Sequence, residues 1–188
     1  MLPILRSRFD ELERQRRALL TDLGKLSPAQ LAYRPAPDVW SIAYVLQHLV
    51  LVEEGTLQFL TKKAPRPDTR TVAQRVRFGA FRLITPYAIR VKAPVPSVLP
   101  TVDAPLAELI ARWDAVRTDL ARYLDGVTEA QLPMLVLKHA FGGPLTILET
   151  LDVFRLHIIH HGHQLRRIKR ASGFPIERAP AMVAGAGE

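Results

Sequence analysis

The chain contains no cysteine. That absence excludes a disulfide framework, a thiolate metal site and a cysteine nucleophile from the chain itself, and it fits a reducing compartment. No apolar run approaches the roughly 18 residues of a membrane-spanning helix. The opening MLPILRSRFDELERQRR is broken by charge too early to act as a secretory signal. No internal repeat and no nucleic-acid-binding motif occur. The expected setting is therefore cytoplasmic, away from membranes.

The formal net charge is +8, from 26 Lys and Arg against 18 Asp and Glu. Such an excess can indicate nucleic acid or an anionic surface. Here the basic residues are scattered over 6–17, 62–92 and 165–170 without interleaved aromatics. An ordinary basic surface accounts for them, and nucleic acid is not the expected partner. An anionic small substrate remains compatible with the charge. Hydrophobic residues make up 48% of 188 residues, enough for one domain with a real core. We place that domain at residues 1–176, followed by a loose tail over 177–188.

Apolar residues at helical spacing predict a first helix over 3–24, closed near Gly24. A proline-rich connector follows, with one helical turn over Ser27–Leu31 capped by Ser27. Ser41 is the expected cap of a second helix running to about Lys63, stopped by Pro65 and Pro67. Residues 64–104 hold six prolines and read as a long crossover, with a helix admitted around Thr71–Phe81. Asp103 is the expected cap of a third helix ending near Asp125 and Gly126. A loop leads on to Thr146, which with Glu149 forms a capping box for a fourth helix reaching about Ala171. Four long amphipathic helices predict an all-α four-helix bundle, and the long crossover between helices 2 and 3 permits those two to run parallel.

Five of the six histidines fall on the second and fourth helices. In HIIHHGHQLRRI, residues 157–168, His157 and His161 are four residues apart, about 40° around a helix, so one helix offers two imidazoles to one ion. Both lie at the edge of the apolar face formed by Ile147, Leu151, Phe154, Ile158 and Leu165, with His161 closer to its centre. His48 borders the corresponding face of the second helix, beside Val45 and Val52. If the two helices are neighbours, three imidazoles converge. Three neutral nitrogen ligands leave open positions on zinc, nickel or a similar ion, as a catalytic metal requires. An i, i+4 histidine pair is also common on solvated helices, so spacing alone leaves metal binding and a plain surface evenly matched.

Neighbouring residues carry double readings. His160 lies toward solvent and His163 further out. His160 is a candidate for proton transfer, and Gln164 for a hydrogen bond to a metal-bound group. Glu53 turns toward the core, where it would orient a ligand imidazole or, more often for such residues, pair with arginine. Trp40 and Ser41 suit the stapling and capping of the helix start. Gly162, in mid-helix, would allow another helix to come close.

Three stretches together resemble the DinB/YfiT-like superfamily: RPAPDVWSIAYVLQHLVLVEE (34–54), FGGPLTILETLDVFRLH (141–157) and HIIHHGHQLRRI with its His-x-x-His-His-x-x-Gln signature. That resemblance implies a bundle with up-down-down-up topology and a metal triad of His48, His157 and His161. It implies a metal-dependent enzyme, a transferase or isomerase using a low-molecular-weight thiol, or a hydrolase, acting on a small molecule. It also implies a homodimer. The competing expectation is a non-catalytic, metal-binding or stress-associated bundle.

Overall fold

A computed structural model describes residues 1–87, 96–101 and 104–176. Six helices are present among them: α1 (Pro3–Leu23), α2 (Pro28–Ala32), α3 (Ile42–Lys62), α4 (Val72–Ile84), α5 (Leu106–Asp125) and α6 (Ile147–Lys169). The four long ones, α1, α3, α5 and α6, form a four-helix bundle. None of the described helices is long and apolar enough to cross a membrane.

Local chemistry sets the helix starts. Pro3 opens α1 at a position where its missing N–H is no loss. Ser27 and Gln30 satisfy each other's backbone donors in a capping box at α2. The Ser41 hydroxyl accepts from the Tyr44 N–H at 3.1 Å and starts α3. Thr71 with Gln74, and Thr146 with Glu149, form capping boxes at α4 and α6. A cap of this kind is worth about 1 kcal/mol. The N-cap of α5 is Pro105, without a side-chain hydrogen bond; the expected cap, Asp103, lies outside the described residues, as does the tail over 177–188.

Packing then selects the faces. On α5, Leu109, Trp113, Val116, Leu120 and Leu124 recur every three or four residues and are all buried. On α6 the buried stripe runs Leu151, Phe154, Ile158, Leu165, Ile168, and His161 occupies the place that the period assigns between Ile158 and Leu165. On α3, Val45, Leu49 and His48 are all buried together. Ion pairs give relative directions. Arg8 meets Asp152 and Asp22 meets Lys169, so α1 and α6 run the same way. The N-terminal amine of Met1 meets Asp125, and Arg16 meets Asp114, so α5 runs against α1. The direction of α3 stays with the expectation.

One segment departs from the expected loop. Residues Leu135–His139 (β1) and Gly143–Thr146 (β2) form an antiparallel hairpin ahead of α6, pairing Leu137 with Leu145 and His139 with Gly143. A register irregularity between Leu135 and Leu137 breaks the alternation by which a strand is recognised. Tertiary pairing supplies what the local pattern lacks: the Arg66 and Leu135 backbones exchange hydrogen bonds at 2.9 and 2.7 Å. Gly143 has φ +81°, and a Cβ there would run into the Arg77 guanidinium. The crossover helix α4 follows the expectation and extends to Ile84. Phe78 joins Leu145 and Val153 in a small apolar cluster separate from the main core, tying α4 to the hairpin and α6.

Candidate metal centre

The bundle brings His48 of α3 beside His157 and His161 of α6. One ring nitrogen from each lies within 4.8 Å of the others, a group that could hold a metal ion. The His157 Nε2 stands 3.2 Å from the His48 Nε2 and 2.9 Å from the His161 Nε2. His48 and His161 are 5% and 6% exposed, and His157 is partly open.

The outer nitrogens decide the chemistry of the inner ones. The His48 Nδ1–H donates to the Val98 carbonyl at 2.7 Å. The His161 Nδ1–H donates to the Gln164 Oε1 at 2.8 Å. A neutral imidazole has one N–H, so the Nε2 of each presents a lone pair to the centre. The His157 Nε2 can donate to only one of them; at least one of the two short N···N contacts therefore brings lone pair against lone pair. Protonation is no remedy. Burial, and after it the proximity of His161 and His48, holds His157 well below the ordinary histidine range. Burial pushes His161 down to about 3, and it lowers His48 against the opposing pull of the Val98 carbonyl. Two inward lone pairs, on His48 and His161, converge on the neutral His157 ring, an electron-rich cluster with no counter-charge from the triad itself.

Divalent zinc takes imidazole nitrogens at roughly 2.0–2.1 Å, which puts tetrahedral ligands about 3.4 Å apart. The separations of 3.2 and 2.9 Å are close to that, and the outer hydrogen bonds are of the kind that fixes the tautomer of ligating histidines. The donor set thus fits a first-row divalent ion.

Surrounding groups separate into those that reach the triad and those that do not. The Trp40 ring lies 5.0 Å from that of His48, and Ser41 caps α3, so both have positioning roles at this corner. Gln164 is engaged with His161. The His160 ring is 5.1 Å from the His161 ring and lies near the backbone at Thr85 and Tyr87, just past α4. His163 Nδ1 pairs with Arg166 at the surface. Glu53 does not approach the triad: its carboxylate accepts from Trp113 at 2.7 Å and Arg117 at 2.6 Å. A Cβ on Gly162 would meet only the Arg166 side chain, at 3.8 Å, so no neighbouring helix exploits that glycine.

Sequence reasoning missed two groups. Val98 acts through a backbone carbonyl, which no residue-type signal reveals. His139, the sixth histidine, sits on the segment read as loop; the aromatic Phe141 two residues on, in KHAF, was the available hint.

Comparison with known proteins places this geometry. Among solved structures the chain is similar to TT2238, a four-helix bundle protein, at 22% identity over 87% of this chain and 96% of that one, with a TM-score of 0.53. It is similar also to YfiT from Bacillus subtilis, described as a probable metal-dependent hydrolase with an unusual four-helix bundle topology. That likeness is 16% in identity over 90% of this chain and 87% of the other, with a TM-score of 0.56. At these identities the likeness is one of fold. No curated protein matches the sequence. The DinB superfamily pattern matches residues 11–165, most of the chain and every member of the histidine triad, and the chain belongs to that superfamily.

Proposed function

We propose that this protein is a metal-dependent enzyme that holds a divalent ion, zinc or nickel, through the Nε2 atoms of His48, His157 and His161. The reading rests on one observation: ring nitrogens of three neutral imidazoles converge, and Val98 and Gln164 fix two of them, His48 and His161, with their lone pairs inward. A divalent ion at that point supplies Lewis acidity and open coordination positions, which lower the pKa of a thiol or water brought there.

The residues of the chain divide the remaining work. His48 and His161 keep their ligand nitrogens deprotonated because burial disfavours the imidazolium. Val98 and Gln164 are positioning groups that prevent either ring from turning its N–H inward. His160, partly exposed beside His161, is the imidazole placed to accept a proton from an arriving nucleophile. Trp40 covers His48 and limits access of water from that side.

The reaction class follows from what such a centre activates: thiol transfer or isomerisation with a low-molecular-weight thiol, or hydrolysis. YfiT is described as a probable hydrolase, and the family resemblance points to the thiol. A small-molecule substrate, a homodimeric state and a cytoplasmic setting belong to the same proposal. The test is a panel of thiols with electrophilic acceptors, and of activated esters without thiol, run on zinc- and nickel-loaded protein. Turnover that requires the ion is expected in one arm. Equal rates from apoprotein, or none anywhere, would overturn the enzymatic reading.

A further inference from the structure

His139 stands outside the triad, on β1, and three observations bear on what it does. The first is its tautomer. The Gly142 backbone N–H donates to the His139 Nδ1 at 2.9 Å. That nitrogen therefore carries the lone pair, and the proton of the neutral ring resides on Nε2. Burial favours the neutral ring. The second is what Nε2–H meets. It has no hydrogen-bond partner among the described residues, and it is not among the atoms shut off from solvent. Among the described residues this donor is fixed by its tautomer and left without an acceptor.

The third observation is its level in the bundle. Phe78 of α4 clusters with Val153, one helical turn before His157. The backbone at Thr85 and Tyr87 meets His160, one turn after His157. Phe81 stacks on Phe78 with ring centroids 6.2 Å apart, on the same side of this stretch of α6. The His139 ring packs against the Phe81 ring at 5.0 Å and against Phe141 at 6.1 Å. His139 is also close enough to His157 to disfavour its protonation. The hairpin and α4 thus lie together against the part of α6 that precedes His157, and the His139 N–H is flanked there by two aromatic rings.

We propose that His139 is a substrate-binding residue of the metal centre, its Nε2–H taking a carbonyl-type oxygen of a small molecule whose apolar part rests on Phe81 and Phe141. This rests on the metal-binding reading above. It assigns the hairpin a role that neither the helical histidines nor the family pattern supplies. It also gives Gly142 a reason to be glycine: a Cβ there would crowd the His139 Nδ1 and Phe78, each at 3.2 Å, and disturb the hydrogen bond that fixes the tautomer.

The test uses the full chain loaded with Co2+, whose visible spectrum reports the ligands, and acetohydroxamate as the oxygen-bearing probe. In His139→Phe, which keeps an aromatic ring and removes the donor, Co2+ should bind with unchanged stoichiometry and affinity. Acetohydroxamate should bind about tenfold more weakly than to wild type, the loss of one hydrogen bond. Equal acetohydroxamate affinity in the two proteins overturns this assignment alone. Failure of wild-type protein to take up Co2+ overturns it together with the metal reading. Ring 15N spectra of wild-type apoprotein give a second check that does not depend on how the variant folds: the Nε2–H tautomer at His139 is expected, and the Nδ1–H tautomer would refute the proposal.

Discussion

Two buried polar clusters are built on α3, five residues apart, and they are opposites. At Glu53, 1% exposed, the carboxylate is matched by the Arg117 guanidinium and the Trp113 indole N–H. Glu13 and Arg16 extend that cluster in two hydrogen bonds of 3.0 and 2.8 Å, and Arg16 reaches Asp114. Both guanidinium groups also lie near the Trp113 ring, at 5.6 and 5.8 Å from its centroid. At His48, also buried, the inward groups are imidazole nitrogens with at least one lone pair facing another, and no cationic side chain among the described residues is paired with them. A buried charge paired with its opposite is a packing device, costly to break and silent otherwise. A buried set of donors of electron density without its cation is a receptor. Helix α3 contributes to one of each, and the difference lies in the chemistry of the groups it brings together.

That contrast can be broken at either end. The largest effect is expected from Glu53→Ala, which removes the closest partner of buried Arg117, leaving it only Glu13 at 3.5 Å, and takes the acceptor from the Trp113 N–H. Chemical denaturation should show a loss of about 3–5 kcal/mol. A loss under 1 kcal/mol would mean that the carboxylate cluster is no more structural than the triad.

Acidification is expected to act on the other cluster. In the folded apoprotein His48, His157 and His161 are held below the ordinary value of 6.5, His161 at about 3. Below pH 6.5 the unfolded chain takes up protons that the folded chain refuses, so stability falls as pH is lowered from 7 to 5. The loss is on the order of 2 kcal/mol for each imidazole kept fully neutral. His161→Ala should flatten that slope; an unchanged slope in denaturation at the two pH values would remove the triad as its source.

A smaller effect is expected at the hairpin. Arg70 donates to Asp68, to both oxygens of Glu149 and to the Pro144 carbonyl, fastening the crossover to the start of α6. Arg70→Ala should cost about 2 kcal/mol and loosen the wall that carries His139, visible as faster amide exchange over 135–146. Least of all should follow from Lys169→Ala, since the pair with exposed Asp22 lies at the surface: less than about 1 kcal/mol.

Much of this architecture was legible in the residues themselves, for reasons that can be named. Ser41 and the Thr146–Glu149 box are side chains that satisfy helix-start donors, so they mark α3 and α6 without any tertiary information. The stripe from Leu151 to Ile168 passes through position 161, which identified His161 as inward before its neighbours were known. What the residues did not disclose depends on contacts between distant segments. Glu53 chose Arg117 over a ligand histidine because α3 packs on α5 there, and helical angle alone cannot rank those partners. The hairpin was read as loop because its register irregularity hides the alternation and its pairing with Arg66 comes from 69 positions away in sequence (135 − 66). Val98 holds His48 through a carbonyl common to every residue type.

The central claim is that the triad binds a divalent cation. Elemental analysis of protein purified without a histidine tag, wild type beside His161→Ala, tests it most directly. The account predicts about one equivalent of zinc or nickel per wild-type chain and none in the variant, with the variant still folded. Full metal content in His161→Ala, or a wild-type chain that takes up neither ion when both are supplied, would contradict it.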